Sequence, residues 1–184
     1  MDTHKIIAAT RHWVETIVID LNLCPFAKRE MVKNSVRFSV SEANTEEQLL
    51  FDMHAELDLT AQDDAIETTL LIHPHVLGDF GAYNQFLALT DDLIQQMGLE
   101  GAFQVASFHP QYQFTETEPE DPENYTNRSP YPMLHILREA SLEVAIAGHP
   151  DIGSIPMHNR QLMREMGSDK MKALLKACFI TSST

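Results

Sequence analysis

The chain has 184 residues, 43% of them apolar, and a formal net charge of −14. This length and composition are typical of a single globular domain that buries a sizeable core without disulfides or metals. The negative charge repels phosphate backbones and anionic membrane surfaces, and no cluster of Lys or Arg interrupts it. We therefore expect neither nucleic acid nor a membrane as a partner.

The N-terminal segment does not have the order of a signal peptide. Residues 1–23 alternate charged and apolar side chains at helical spacing, without a basic stretch followed by an apolar one. No apolar run approaches the roughly 20 residues that span a bilayer. We expect a cytoplasmic protein in which Cys24 and Cys178 are reduced thiols.

Hydrophobic periodicity predicts a small α/β protein. Helices are predicted over 3–21, 44–57 and 80–98, and strands over 36–40, 66–74 and 101–110. Helical crossovers usually link parallel strands, so the pattern predicts a three-stranded, mostly parallel βαβαβ-type sheet packed with helices. Short antiparallel pairings, and hence an α+β fold, remain an alternative.

The C-terminal half is predicted to be a loop followed by helices, with all of 1–184 forming one domain. Residues 115–125 carry five acids between Glu116 and Glu123. They predict a solvated loop, or alternatively a lid over a pocket. Residues 129–184 are predicted to be helical: one helix capped at Ser129 and closing at Gly148, then a pair of short helices broken at Gly167.

Histidines lie at the carboxyl ends of two predicted strands. His73 and His75 lie at the end of one strand and His109 at the end of another. If the strands are parallel, their carboxyl ends share one edge of the sheet, which is where ligands bind in open α/β folds. The alternative is that His-Pro simply ends a buried strand.

The segment NRSP predicts an anion site if a helix begins at Ser129. The free N–H groups of its first turn, the helix dipole and Arg128 would then meet one anion. Asn124, Asn127 and Tyr112 could add polar contacts. The alternative is an ordinary helix cap with Arg128 on a surface carboxylate.

A third candidate is the triplet His135, Arg138 and Glu139. Spacings of three and four would place them on one helical face, where Glu139 could orient His135 as a general base and Arg138 could bind a carboxylate or phosphate. The alternative is an exposed ion-pair face.

Cys24, in LCPF, is the fourth candidate. It could be a nucleophile if it reaches the same pocket as the histidines, or a small apolar residue if it does not. Cys24, His109 and His135 suit zinc by type but lack a compact ligand spacing, so no metal site is predicted. Gly-rich phosphate loops, a GxSxG elbow and a Walker sequence are absent, and we predict no cofactor.

Four stretches resemble one known family: LNLCPFAKRE, TTLLIHP, QVASFHPQYQF and NYTNRSPYPMLHILREAS. The family is catalogued as domain of unknown function 1415, and the resemblance covers nearly the whole chain. It implies a bacterial, cytoplasmic protein and supplies no activity, cofactor or partner.

Two functional hypotheses follow. The first is an enzyme or binder that acts on a small anionic metabolite, phosphorylated or carboxylated, by hydrolysis or group transfer. Its catalytic residues would be His109, His135, Glu139 and Cys24, and its substrate-binding residues Arg128, Ser129, Asn127, Asn124, Tyr112 and Arg138. The second is a non-catalytic interaction protein that uses the SPYP segment or a helical face. The sequence leaves open whether the protein is an enzyme and whether it forms homo-oligomers.

Overall fold

The computed structural model describes residues 2–147 and 152–179. The strands are β1 (Val36–Val40), β2 (Thr68–Ile72), β3 (Phe103–Phe108) and β4 (Met133–Arg138). The α-helices are α1 (Thr3–Trp13), α2 (Ala27–Lys33), α3 (Glu46–Gln62), α4 (Phe80–Gln96), α5 (Glu139–Ala147), α6 (Ile155–Met166) and α7 (Ser168–Ala177). A π-helix (Val14–Ile19) continues α1, and 3-10 helices cover Pro122–Thr126 and Ile152–Ser154.

The four strands form one mixed sheet in the order β1-β2-β4-β3. β1 and β2 pair in parallel, whereas β4 runs antiparallel to both β2 and β3. Strands β1, β2 and β3 therefore point in one direction, and β4 separates β2 from β3. The predicted α/β class is confirmed, but the predicted three-stranded, mostly parallel sheet is not matched because β4 is an additional, antiparallel strand.

Residues 133–138 form β4, although the sequence predicts a helix beginning at Ser129. Strand β4 lies in the middle of the sheet, and apolar side chains are buried on both of its faces. A strand buried on both faces has a continuous apolar run, which spacing alone does not distinguish from a helix. The helix α5 begins only at Glu139, and the predicted helix end at Gly148 lies outside the described residues.

Successive residues of the strands face two separate cores, as the two-residue period of a strand requires. Leu71, Leu134 and Ile136 belong to the core that α3 and α4 cover. Leu70 and Met133 belong to the other core, which is covered by α1, the π-helix, α6 and α7. The sheet is thus a central layer between two layers of helices.

The C-terminal helices follow the prediction closely. α6 ends at Met166 and α7 begins at Ser168, with Gly167 between them at φ 77°. This left-handed backbone favours glycine, since other residues are strained there. The break predicted at Gly167 is confirmed.

The acidic loop over 115–125 is anchored to these helices. Glu123 is buried and pairs with Arg164 of α6, and Glu120 pairs with Lys172 of α7. The segment Pro122–Thr126 packs against both helices. The loop is therefore a packed connection, and its contacts lie on the C-terminal helices.

Candidate functional site

A cavity of about 330 Å³ lies between the sheet and the helical layer that contains α1 and α2. Thr68, Phe108 and His135 line it from three neighbouring strands, and Trp13 and Cys24 line it from the N-terminal segment. Its volume is in the range of pockets that hold small ligands. Two of the predicted catalytic residues, Cys24 and His135, are thereby brought to one cavity.

Two further depressions, of about 800 and 510 Å³, border the N-terminal half of α3. Exposed residues such as Glu46, Glu47 and Asp79 line the larger one. Neither depression is lined by a residue that the sequence predicts to be catalytic. The 330 Å³ cavity is therefore the candidate site.

His135 is held in one tautomer by a short chain of hydrogen bonds. Its Nε2 lies 2.6 Å from Oγ1 of Thr68, and this hydroxyl donates to the carbonyl oxygen of Ile136, also at 2.6 Å. Because a hydroxyl has a single hydrogen and the carbonyl can only accept it, Nε2 must carry the proton that reaches Thr68. Nδ1 is then the unprotonated nitrogen of the ring.

The imidazole of His135 is also uncharged at neutral pH. Burial lowers its pKa from 6.5 to about 4, because the cavity and the sheet cannot solvate an imidazolium. A neutral histidine with a fixed tautomer offers one hydrogen-bond acceptor to a bound molecule.

Cys24 is brought to the cavity by a π-helix and a left-handed turn. The wide turns of the π-helix are closed by a bond from Leu23 N to Val18 O at 2.9 Å, and Asn22 has φ 53°. The carbonyl of Leu23, the residue before Cys24, is held by Asn159 of α6, whose Nδ2 donates to its oxygen at 2.8 Å. π-helical turns occur often at functional sites, and here Val18 itself lines the cavity.

Three rings in a row form one side of the cavity. Trp13 meets Phe108 edge-on, with centroids 5.2 Å apart, and Phe108 lies 5.9 Å from His135. Trp13 is the only tryptophan of the chain. Its Nε1 donates to the backbone oxygen of Arg128 at 3.1 Å, so the loop around Arg128 positions this wall.

Strands β2 and β3 run in the same direction, so His73 and His109, which follow them, lie at the same edge of the sheet. Neither residue lines the cavity. His109 donates from Nε2 to Leu77 O at 3.1 Å and accepts the N–H of Gln111 at Nδ1 at 3.0 Å. His73 donates from Nδ1 to Val76 O at 3.0 Å. Burial lowers the pKa of both rings, so two neutral histidines hold the loop before α4.

Arg128 and Ser129 lie in a buried corner, and no helix begins there. Arg128 donates from Nε to Tyr112 O at 3.1 Å and from Nη2 to Pro119 O at 2.5 Å, and its guanidinium lies over the ring of Tyr125. Ser129 donates to Tyr131 O at 2.7 Å. The helix dipole on which the predicted anion site depended is absent, because β4 follows this segment.

The other predicted substrate-binding residues of this corner also contact protein atoms. Asn124 is fully buried and accepts the N–H of Phe114 at 3.0 Å, while Asn127 donates to Ser107 O at 3.1 Å. Tyr112 packs on Phe114 with ring centroids 5.0 Å apart. These contacts show how the side chains are held, and the binding roles of these residues stay predictions.

The expected helical face of His135, Arg138 and Glu139 does not form, because the first two residues are in β4. Residues three apart on a strand point to opposite faces, so Arg138 extends away from His135. Its guanidinium donates to Ile66 O and Asp63 O, both at 3.0 Å, near the end of α3. Glu139 begins α5 and donates its N–H to Ala102 O at 2.9 Å.

Thr68 is the member of the site that sequence reasoning missed. In the strand pairing, His135 lies opposite Leu70, and Thr68, two residues before Leu70, is on the same face of the sheet as His135. Within residues 2–147 and 152–179, no cluster of three or more His, Cys, Asp or Glu side chains is arranged to hold a metal ion.

The comparisons with known proteins identify a family but no function. No described helix is both long and apolar enough to cross a bilayer. No curated protein and no solved structure matches the chain. Residues 5–173 match the family described as "Protein of unknown function (DUF1415)". The chain belongs to this family.

Proposed function

We propose that the protein binds a small, predominantly apolar molecule in the 330 Å³ cavity. The observation that carries the proposal is that Cys24 and His135, two chemically versatile side chains, line one cavity whose other walls are mainly apolar. Small-molecule sites have this composition, with an apolar body and a few placed polar groups.

The proposal changes the expected ligand from an anion to an apolar molecule. Arg128, which the sequence assigns to an anion, is buried with its donors on carbonyl oxygens. Two glutamates and two arginines border the cavity itself, so its local charges balance. Any hydrolysis or group transfer would use the two polar side chains that share this cavity, Cys24 and His135, with the apolar molecule as substrate.

The alternative of a docking segment at SPYP receives little support. Ser129, Pro130 and Pro132 are buried, and the ring of Tyr131 packs on Phe179 with centroids 5.5 Å apart. A partner would have to displace these contacts before it could bind the segment.

The test is to fill the cavity. Ala106 lines its floor, so Ala106→Leu occupies part of the space without adding a polar group. A panel of non-absorbing apolar compounds, including cyclohexanol and cyclohexanone, is titrated while the fluorescence of Trp13 is recorded. We expect a saturable change in the parent and at least a tenfold weaker response in Ala106→Leu.

Ala61→Leu is the matched control, because Ala61 is exposed on α3 at the opposite face of the sheet. It should respond as the parent does. Equal responses in parent and Ala106→Leu, or no response of the parent to any compound, would contradict binding in this cavity.

A further inference from the structure

One ring nitrogen of His135 is hydrogen-bonded to the protein, and the other is accessible to a ligand. Nε2 is engaged with Thr68, as described above. Nδ1 makes no hydrogen bond with any residue in the described part of the chain. This nitrogen is not fully buried, so part of its surface is accessible. Because His135 lines the cavity, a bound molecule can reach this nitrogen.

The hydrogen-bond chain determines what Nδ1 can do. Thr68 gives its only hydrogen to Ile136 O and therefore accepts from Nε2. Nδ1 is left as a lone pair in a mainly apolar cavity. A lone pair in such surroundings favours a donor and repels another acceptor, since an unpaired polar contact is costly there.

The charged groups around the cavity balance in number, and both arginines already have partners. Glu30 and Glu67 border it, and Arg29 gives its Nε to Glu30 at 2.5 Å. Arg138 also borders the cavity, but its guanidinium donates to carbonyl oxygens near the end of α3. With a net charge of −14 on the chain, a carboxylate in this cavity would be repelled.

We propose that the cavity selects a neutral apolar molecule carrying a hydroxyl or N–H group, which donates a hydrogen bond to Nδ1 of His135. This inference rests on the proposed function and narrows its ligand class. Thr68 is a positioning residue in it, because it sets the tautomer without contacting the donor of the ligand.

Three probe molecules of similar size distinguish a hydrogen-bond donor, an acceptor and an anion as the preferred ligand. Cyclohexanol can donate a hydrogen bond, cyclohexanone can only accept one, and cyclohexanecarboxylate is an anion. We expect the parent to bind cyclohexanol roughly fivefold to tenfold more tightly than cyclohexanone, the factor that one hydrogen bond supplies. Cyclohexanecarboxylate should bind more weakly than both. Trp13 fluorescence at pH 7.5 reports the binding.

Two variants test the role of the ring. His135→Phe removes the acceptor and keeps an aromatic side chain, so both neutral probes should bind with nearly equal affinity. Thr68→Val removes the acceptor of Nε2–H and releases the tautomer, so the preference for cyclohexanol should shrink or reverse. A preference that both variants retain would overturn the inference.

A measurement on the parent avoids any folding defect in the variants. The ¹⁵N chemical shifts of His135 distinguish a protonated Nε2 from a protonated Nδ1. We expect protonated Nε2 and a change at Nδ1 when cyclohexanol is added. Protonated Nδ1, or equal binding of the two neutral probes, would overturn the inference while leaving cavity binding intact. Absence of binding by all three probes would overturn both.

Discussion

Among single residues, histidines that the fold removes from water make its stability depend on pH. Burial lowers the pKa of His73 and of His135 from 6.5 to about 4. Between these values the unfolded chain binds more protons than the folded one. The free energy of unfolding therefore stays high above pH 6.5 and falls as the pH falls towards 4.

We predict that this loss is measurable at pH 5.0. That pH lies 1.5 units below the unfolded pKa, so each ring should cost about 2 kcal/mol relative to pH 7.5. Urea unfolding at the two pH values gives the difference. In His135→Phe the difference should shrink by about 2 kcal/mol, whatever the variant does to stability at pH 7.5.

His4→Asn is a suitable control because His4 is exposed on α1. Its pH-dependent loss should equal that of the parent. An identical loss in His135→Phe and in the parent would mean that His135 is not held neutral by burial.

At the scale of elements, Arg138 joins β4 to the end of α3. Its Nε donates to Ile66 O at 3.0 Å, and its Nη2 donates to Thr60 O and to Asp63 O. The last carbonyls of a helix have no partner within the helix, and a cationic side chain there satisfies them and interacts favourably with the dipole.

We predict that Arg138→Ala lowers the free energy of unfolding by about 2 kcal/mol, since hydrogen bonds to a charged group are lost and carbonyls are left without donors. Urea unfolding and amide exchange near the end of α3 are the measurements. Lys170→Ala, at an exposed site on α7, should leave stability within about 0.5 kcal/mol. Unchanged stability in Arg138→Ala would favour the ligand-binding role that the sequence suggests.

Several helices and the strands β1, β2 and β3 were predictable from local patterns, and β4 was not. The stripe of α1, the cap at Thr45 and the break at Gly167 are local signals, and each corresponds to the structure. β4 carries apolar residues on both faces, so its period of two is hidden. Because 133–138 were interpreted as a helix, Arg138 was predicted on the same face as His135, although it lies on the opposite face of the sheet. For the same reason the contact between His135 and Thr68 of the neighbouring strand was not predicted.

The residue types of the site were more predictable than its geometry. Cys24 and His135 were named from their chemistry, and they do share a cavity. His109 was named for its place at a strand end, which is correct, yet its ring nitrogens bind Leu77 and Gln111. Strand ends locate an edge of the sheet, whereas this cavity lies on a face.

At the scale of the whole molecule, distant parts of the chain build the cavity together. The N-terminal segment supplies Trp13 and Cys24, the sheet supplies the floor, and α5 supplies Ser141 and Leu142. The bond from Trp13 Nε1 to Arg128 O joins residues 115 positions apart. The buried corner around Arg128 therefore connects the cavity wall to the acidic loop and, through it, to α6 and α7.

This connection depends on the side chain of Arg128. Arg128→Ala removes the bonds to Tyr112 O and Pro119 O and the contact with Tyr125, at 4.6 Å from the ring centroid. We expect a loss of about 3 kcal/mol, because carbonyls of a buried corner lose their donors. For a chain of this size the melting temperature should fall by roughly 6 to 12 °C. Trp13 fluorescence should also shift, since its hydrogen-bond partner moves.

Arg128→Lys should recover only part of this loss, because one ammonium group does not reproduce the planar guanidinium that bonds two carbonyls and lies over Tyr125. Sodium phosphate and sodium citrate, added at constant ionic strength, distinguish this structural role from anion binding. If the corner is structural, neither anion should raise the melting temperature of the parent in a way that depends on Arg128. A rise in the parent that disappears in Arg128→Ala would instead mean that the guanidinium can leave its carbonyls, and the anion site predicted from NRSP would stand.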